Sequence, residues 1–352
     1  MSLYSALRPA LFLLPPEKAH RAAIRALQKG LVCNSVKPIE RLRTTVAGLE
    51  FANPIGLAPG FDKNAECFDA VLKAGCGFVE IGTVTPLAQA GNPQPRLFRL
   101  VEQEAIINRL GFNNEGMEAA AARLAQRRAA GIVGGNIGKN KDTLDAASDY
   151  VKAMRALYPH VDYITANISS PNTPGLRHLQ SEQELHVLVA ALQELRAELV
   201  AGGAPHRPIF VKIAPDCDDA LLKKIADVAL ARGLDGLIVS NTTLAREAVA
   251  GSPYAAETGG LSGRPLFVPS TEVLRKMYRL TEGRMPLIGV GGIASAEDAY
   301  LKIRAGASLV QLYSALVYQG FGLIANIHDG LAQLLARDGV ANVADAVGVD
   351  AR

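Results

Sequence analysis

The chain has 352 residues, 49% of them apolar and 20% charged, which is too much apolar material for a disordered polymer and enough for a large core. A net charge of +3 with no Trp and 5% aromatics lacks the strong basic excess of a nucleic-acid binder, so no nucleic-acid partner is expected. Cys33, Cys67, Cys76 and Cys217 are scattered, with no CxxC and no His at ligand spacing. That excludes a disulfide framework or structural metal as a working reading and favours reduced thiols in a cytoplasmic setting.

The charge is uneven. Residues 1–48 hold Arg8, Lys18, Arg21, Arg25, Lys29, Lys37, Arg41 and Arg43 against Glu17 and Glu40, a balance of +6 that leaves −3 for the rest. Two short helices are expected there. "SLYSALRPALFLL" (2–14) places Leu3, Leu7, Leu11 and Leu14 on one face; Pro15-Pro16 breaks it, and Pro16 can open the next helix. In "EKAHRAAIRALQKGL" one face carries Lys18, Arg21, Arg25, Gln28 and Lys29, and another Ala23, Ile24, Leu27 and Leu31. A greasy helix beside a basic amphipathic one suits a membrane interface, and equally a helix pair packed on the main domain. No apolar run reaches the roughly 18 residues of a membrane span. The start also lacks a signal peptide's apolar core and cleavage site.

"TTVAGLEFANP" reads as a short β-hairpin, after which a regular alternation begins. Apolar, β-rich segments occur at 54–60, 78–83, 132–138, 162–168, 208–214, 235–241, 286–291 and 308–314. Helix-like stretches such as "EAAAARLAQRRAAG" and "DALLKKIADVALARG" lie between them. Eight buried strands alternating with helices predict an α/β chain folded as a (β/α)8 TIM barrel, with a small N-terminal helical extension. A doubly wound sheet would use fewer strands and an early GxGxxG turn.

In such a barrel, chemistry sits at the C-terminal strand ends. Those ends carry Lys63, Thr83, Asn136, Asn167 with Ser170, Lys212, Asn241, Gly291–Gly292 and Tyr313–Ser314. Uncharged hydrogen-bonding groups with two lysines suit a polar planar ligand better than a metal. The glycines of "IGVGGI" before "SLVQLYSAL" suit a phosphate held on backbone N–H groups, although tight barrel turns alone would also use them. Lys212, on an otherwise apolar strand, is either a Schiff-base lysine or a fixed positive charge beside a ring that becomes anionic on reduction. Lys63 poses the same choice, with a surface ion pair as the plain alternative. In "NISSPNTPG" (167–175) five amide and hydroxyl side chains cluster around two stiffening prolines, and Ser170 is its candidate for proton transfer. Without an Asp or His in that loop, a hydrolase triad is not expected.

Taken in order, "GTVTP" (82–86), "NRLGFNN" (108–114), "NIGKNKDT" (136–143), "NISSPNTPGLR" (167–177), "SNTT" (240–243), "TGGLSGRPL" (258–266) and "GVGGI" (289–293) resemble the dihydroorotate dehydrogenases over about residues 45–330. The serine at 170 and the helical N-terminus resemble the membrane-associated, quinone-reducing class 2 of bacterial type. The resemblance implies FMN, one per chain, and oxidation of (S)-dihydroorotate to orotate in pyrimidine synthesis. It implies catalytic roles for Ser170 as the base at C5, Thr173 in passing the proton on, and Lys63. Substrate would be held by Lys63, Asn108, Arg109, Leu110, Gly111, Phe112, Asn167, Asn172, Asn241 and Thr242. FMN would be held by Pro59, Gly60, Phe61, Asp62, Lys63, Thr83, Asn136, Asn167, Lys212, Ser240, Gly263, Gly292, Tyr313 and Ser314. No metal is implied. The domain reading is a membrane and quinone-access segment at 1–44, the FMN barrel at 45–340 and a tail at 341–352. The partners implied are dihydroorotate and orotate, a membrane quinone, and a membrane surface reached through the N-terminal helices. A monomer is expected, bound peripherally at the cytoplasmic face of the bacterial inner membrane. The rival readings are a related FMN barrel acting on another pyrimidine, a catalytically silent flavin sensor, and a Schiff-base aldolase using Lys212.

Overall fold

A computed structural model describes residues 3–32 and 36–351, so Cys33 lies outside the described residues. Helices α1 (Leu3–Leu13) and α2 (Pro16–Gln28) come first, then the antiparallel hairpin β1 (Thr44–Val46) and β2 (Leu49–Phe51). The main body follows: β3 (Ile55–Leu57), α3 (Phe68–Lys73), β4 (Phe78–Val84), β5 (Leu97–Leu100), β6 (Ala105–Asn108), α4 (Met117–Leu124), β7 (Ile132–Ile137) and α5 (Ala146–Leu157). Next come β8 (Tyr163–Asn167), α6 (Glu182–Ala201), β9 (Ile209–Ile213), α7 (Asp219–Ala231), β10 (Gly236–Val239), β11 (Gly260–Gly263) and α8 (Phe267–Leu280). The chain ends with β12 (Leu287–Val290), α9 (Ala296–Arg304), β13 (Leu309–Leu312), α10 (Ser314–Gln319) and α11 (Gly322–Arg337).

Eight parallel strands close in the order β3-β4-β7-β8-β9-β10-β12-β13, with β13 pairing back to β3. These are the eight segments expected from the sequence. Alternation along each strand explains the closure. Val79, Ile81, Val133, Ile164, Val211 and Val310 face the helical ring, while Phe78, Tyr163, Phe210, Ile238, Ile288 and Leu309 fill the interior. Three interior rings lie over glycines paired with them in register: Phe78 over Gly56, Tyr163 over Gly134 and Phe210 over Gly236. A Cβ on those glycines would fall 2.3, 2.1 and 2.4 Å from the rings, so the small residues make room for the large ones. Side-chain caps start several helices: the Asp218 carboxylate accepts from Leu221 N, and Ser295 Oγ from Asp298 N.

Two differences from the sequence reading stand out. The helix expected over 118–131 ends at Leu124. Beyond it the Asp69 carboxylate takes the Arg128 and Ala129 N–H groups, and Arg127 turns to Asp162, so the backbone is drawn off the helical path. The sequence reading also had no separate small sheet, yet β5, β6 and β11 form one, in the order β11-β6-β5, above the barrel mouth. Residues 343–346 form a 3-10 turn, and the chain after it packs on the barrel through Gly348 N to Ile303 O and an Arg304–Asp350 ion pair.

The N-terminal helices dock on that small sheet and on α10. Arg99 of β5 donates to the Phe12 and Leu14 carbonyls at the end of α1 and stacks over the Phe12 ring. Arg96 grips Glu17 of α2 at 2.8 Å, and Ile24 and Leu27 of α2 are buried. Leu7, Leu13, Leu14 and Leu31 remain exposed. Among the described residues no helix is long and apolar enough to cross a membrane.

Candidate active site

A cavity of about 930 Å³ opens at the C-terminal strand ends and runs out between α1 and α2. Its wall is built loop by loop. After β3, Gly60 N donates to Gly82 O at 2.7 Å, and Lys63 Nζ donates to Gly60 O at 2.7 Å, which folds the lysine into the cavity. Burial lowers the Lys63 ammonium to about 8. Pro59 and Phe61 line the same wall. Asp62 does not reach the cavity: its carboxylate accepts the Glu66 and Cys67 N–H groups, and burial raises its pKa.

The floor is a chain of polar side chains. Asn136 Nδ2 donates to Glu80 Oε1 (2.7 Å), Thr83 Oγ1 to Asn136 Oδ1 (2.6 Å), Asn167 Nδ2 to Thr83 Oγ1 (2.9 Å), and Asn241 Nδ2 to Asn167 Oδ1 (3.2 Å). Asn136 and Asn167 each donate through Nδ2 and accept through Oδ1, so the links all run in one direction. Thr83, Asn167, Ser240 and Asn241 line the cavity, whereas Asn136 sits one layer below. Glu80 also accepts from Tyr163 Oη and Gln311 Nε2, all within the barrel. Lys212 lines the cavity beside them; its backbone pairs with β8 and β10, while its ammonium has no hydrogen-bond partner among the described residues. Burial lowers its pKa, while the Glu80 charge opposes the drop.

The loop after β8 covers one side. Ser170 is 6% exposed, lines the cavity, and its Oγ accepts from Asn172 N at 3.2 Å. Asn172 Nδ2 donates to the Asn108 carbonyl at 3.1 Å, joining this loop to the end of β6. Thr173 is buried in the same loop but is not part of the cavity wall. Leu110, Gly111 and Phe112 line the wall after β6, with Gln89 Nε2 holding the Gly111 and Phe112 carbonyls. The Arg109 side chain turns away to Glu257 and Pro95 O, over the Phe98 ring. Thr242 completes this side.

Opposite lies a backbone cradle of Gly263, Gly292, Tyr313 and Ser314. Gly292 has φ +74°, and a Cβ there would stand 2.5 Å from Phe267 N. Ser314 Oγ donates to Ser262 Oγ at 2.8 Å. The cradle suits a phosphate. Gln311 Oε1, unpartnered among the described residues, and the Lys212 ammonium suit a polar ring with an edge that gains negative charge. These features fit FMN.

Residues that the sequence reading did not single out also shape the site. Glu80 was hidden as one acid in an apolar strand, and that oddity was its signal. His20 of α2 packs edge-on to Phe61 at 5.1 Å and lies beside Tyr313; burial lowers it to about 3, so it is neutral. Only the docking of α2 reveals its place in the cavity wall.

The model of the family described as dihydroorotate dehydrogenase matches residues 41–335. The chain is 54% identical over 357 residues to a protein of Xanthobacter autotrophicus named dihydroorotate dehydrogenase (quinone), covering all of both chains. It is 55% identical over 353 residues to one of the same name from Parvibaculum lavamentivorans, covering 99% of each. The crystal structure of dihydroorotate dehydrogenase from Eimeria tenella in complex with ferulenol superposes with a TM-score of 0.92 at 42% identity, covering 96% of each chain. Barrel, cradle and serine loop thus coincide with a family match over most of the length: the chain belongs to the dihydroorotate dehydrogenase family.

Proposed function

We propose that this protein is an FMN-dependent dihydroorotate dehydrogenase that oxidises (S)-dihydroorotate to orotate in pyrimidine biosynthesis and uses a quinone as electron acceptor. The observation that carries this reading is the Ser170 hydroxyl, buried in a cavity wall that also presents the amides of Asn108, Asn167, Asn172 and Asn241. Those side chains pair with the ring's carbonyl and N–H groups, and Lys63 takes the carboxylate. Ser170 Oγ removes the C5 proton while its own proton passes toward Thr173 and water. When bound, FMN would supply the two-electron redox chemistry that links hydride loss at C6 to reduction of the quinone. Lys212 places a positive charge where the ring gains negative charge, and Gly263, Gly292, Tyr313 and Ser314 hold the phosphate. Pro59, Gly60, Phe61, Thr83 and Ser240 bound the ring, with Asn136 and Asp62 supporting them from behind.

The cavity's apolar arm, lined by Leu7, Leu11, Ala19 and Ala23, is the quinone passage. Residues 1–44 form the access segment on the 45–340 barrel. The exposed leucines of α1 rest on the membrane surface, so the monomer sits peripherally at the cytoplasmic face of the inner membrane. Quinone reduction by the purified protein tests the reading. It should require dihydroorotate and fail with dihydrouracil, which lacks the carboxylate. Turnover of dihydrouracil but not dihydroorotate would assign the barrel to another pyrimidine.

A further inference from the structure

The segment 167–177 ends on an arginine that no step above uses. Arg177 follows Gly175 in a short 3-10 turn and reaches back over the loop. Its Nε donates to Ser169 O at 3.1 Å, which closes residues 169–177 into a ring. A second arm donates to Thr242 O at 3.3 Å, and a third pairs with Asp216 Oδ2 at 2.8 Å. Asp216 follows β9, and its carboxylate also accepts from Thr243 Oγ1 and from Leu244 N. One guanidinium therefore touches the loops after β8, β9 and β10. Two of those loops supply Ser170, Asn172, Asn241 and Thr242 to the cavity. The contacted carbonyls belong to Ser169 and Thr242, one residue before Ser170 and one after Asn241.

We infer that Arg177, held by Asp216, is a positioning residue that sets the spacing between the Ser170 hydroxyl and the Asn241–Thr242 edge of the substrate site. This rests on the function proposed above. Three directions of donation from a planar fork define a distance and an angle that a single ammonium does not reproduce. The other fixed point lies at the strand end, where Tyr150 Oη donates to Asn167 O at 2.7 Å. Between these two anchors Ser170 has little freedom. Proton removal from C5 depends on that placement, and a shift near 1 Å can cost roughly 100-fold in rate. Reoxidation by quinone uses the opposite arm of the cavity and makes no demand on this loop.

The test measures the two half-reactions of the FMN-loaded full chain separately, with orotate affinity read from the flavin absorbance change. Arg177→Ala is expected to slow flavin reduction by dihydroorotate about 100-fold and to leave reoxidation by quinone unchanged. Arg177→Lys should fall between variant and parent, because it keeps the ion pair but not the fork. The Arg177 side chain is 24% exposed, so added millimolar guanidinium should restore part of the rate in Arg177→Ala and none in Arg177→Lys. If Arg177→Ala does not fold, Asp216→Asn carries the same comparison, with a smaller loss confined to the reductive half. Reduction within threefold of the parent, or equal losses in both half-reactions, would overturn the inference. A parent whose flavin stays oxidised with dihydroorotate would overturn the proposed function instead, and this inference with it.

Discussion

Gly292→Ala tests the assignment of the phosphate cradle. The backbone there has φ +74°, and an added Cβ would lie 2.5 Å from the N and Cα of Phe267, the first residue of α8. A backbone atom cannot swing aside as a flexible side chain can, so the glycine loop or the start of α8 must move. The left-handed conformation adds roughly 1–2 kcal/mol for a non-glycine residue. Displacing the loop removes one charge-assisted hydrogen bond to the phosphate, worth about 1.5–3 kcal/mol. FMN affinity should therefore fall roughly 10- to 150-fold, taking 1.4 kcal/mol per decade. The assay is titration of the apoprotein with FMN, followed by flavin fluorescence, and repeated with riboflavin, which lacks the phosphate. Riboflavin should bind parent and variant alike. Gly175→Ala is the control: its φ is +69°, but no atom stands within 4 Å of the added Cβ, and FMN affinity should stay within threefold. An unchanged FMN affinity in Gly292→Ala, or an equal loss for riboflavin, would refute the assignment.

Ser170→Ala should keep its FMN yet lose roughly 100- to 10,000-fold in the rate of flavin reduction, the range for removing a proton-transfer group; near-normal reduction would place the base elsewhere. Lys63 titrates near 8 because burial disfavours its charge, and its protonated form is the one that holds a carboxylate. Orotate affinity should be full below that pH and fall about tenfold per unit above it, while Lys63→Met should bind weakly with no such slope. A flat profile in the parent from pH 6 to 9.5 would remove the lysine from carboxylate binding. Glu17→Gln weakens the grip of Arg96 on α2, at a cost of about 1–2 kcal/mol after discounting for water at the edge of the pair. It should impair turnover with long-tailed quinones while sparing flavin reduction; equal losses in both half-reactions, compared by stopped flow, would contradict the role given to α2.

The barrel was legible because its strands are short buried runs with β-branched cores, and each is followed by amphipathic sequence that must cover it. The helix pair was legible for the same reason: Pro15-Pro16 marks the break, and Ile24 and Leu27 mark the packed face. The small sheet was not. Each of its strands has four residues, and β11, "GLSG", contains two glycines that carry no strand preference. Its register with β6, Gly260 opposite Asn108, joins residues about 150 apart, which no local pattern encodes. The candidate site divides similarly. Asn167, Ser170 and Lys212 were readable from polar residues at the ends of apolar strands. Arg109 and Asp62 lie in the right segments, but their side chains serve Glu257 and the Glu66–Cys67 backbone, a matter of side-chain direction that segment position leaves open. His20 faces the cavity only because α2 folds back over Phe61.

The most direct test of the central claim is the visible spectrum of the purified holoprotein under anaerobic conditions, before and after adding dihydroorotate. The account predicts a yellow protein whose flavin absorbance bleaches on addition and returns when a quinone is supplied. A yellow protein that stays oxidised with dihydroorotate would contradict it.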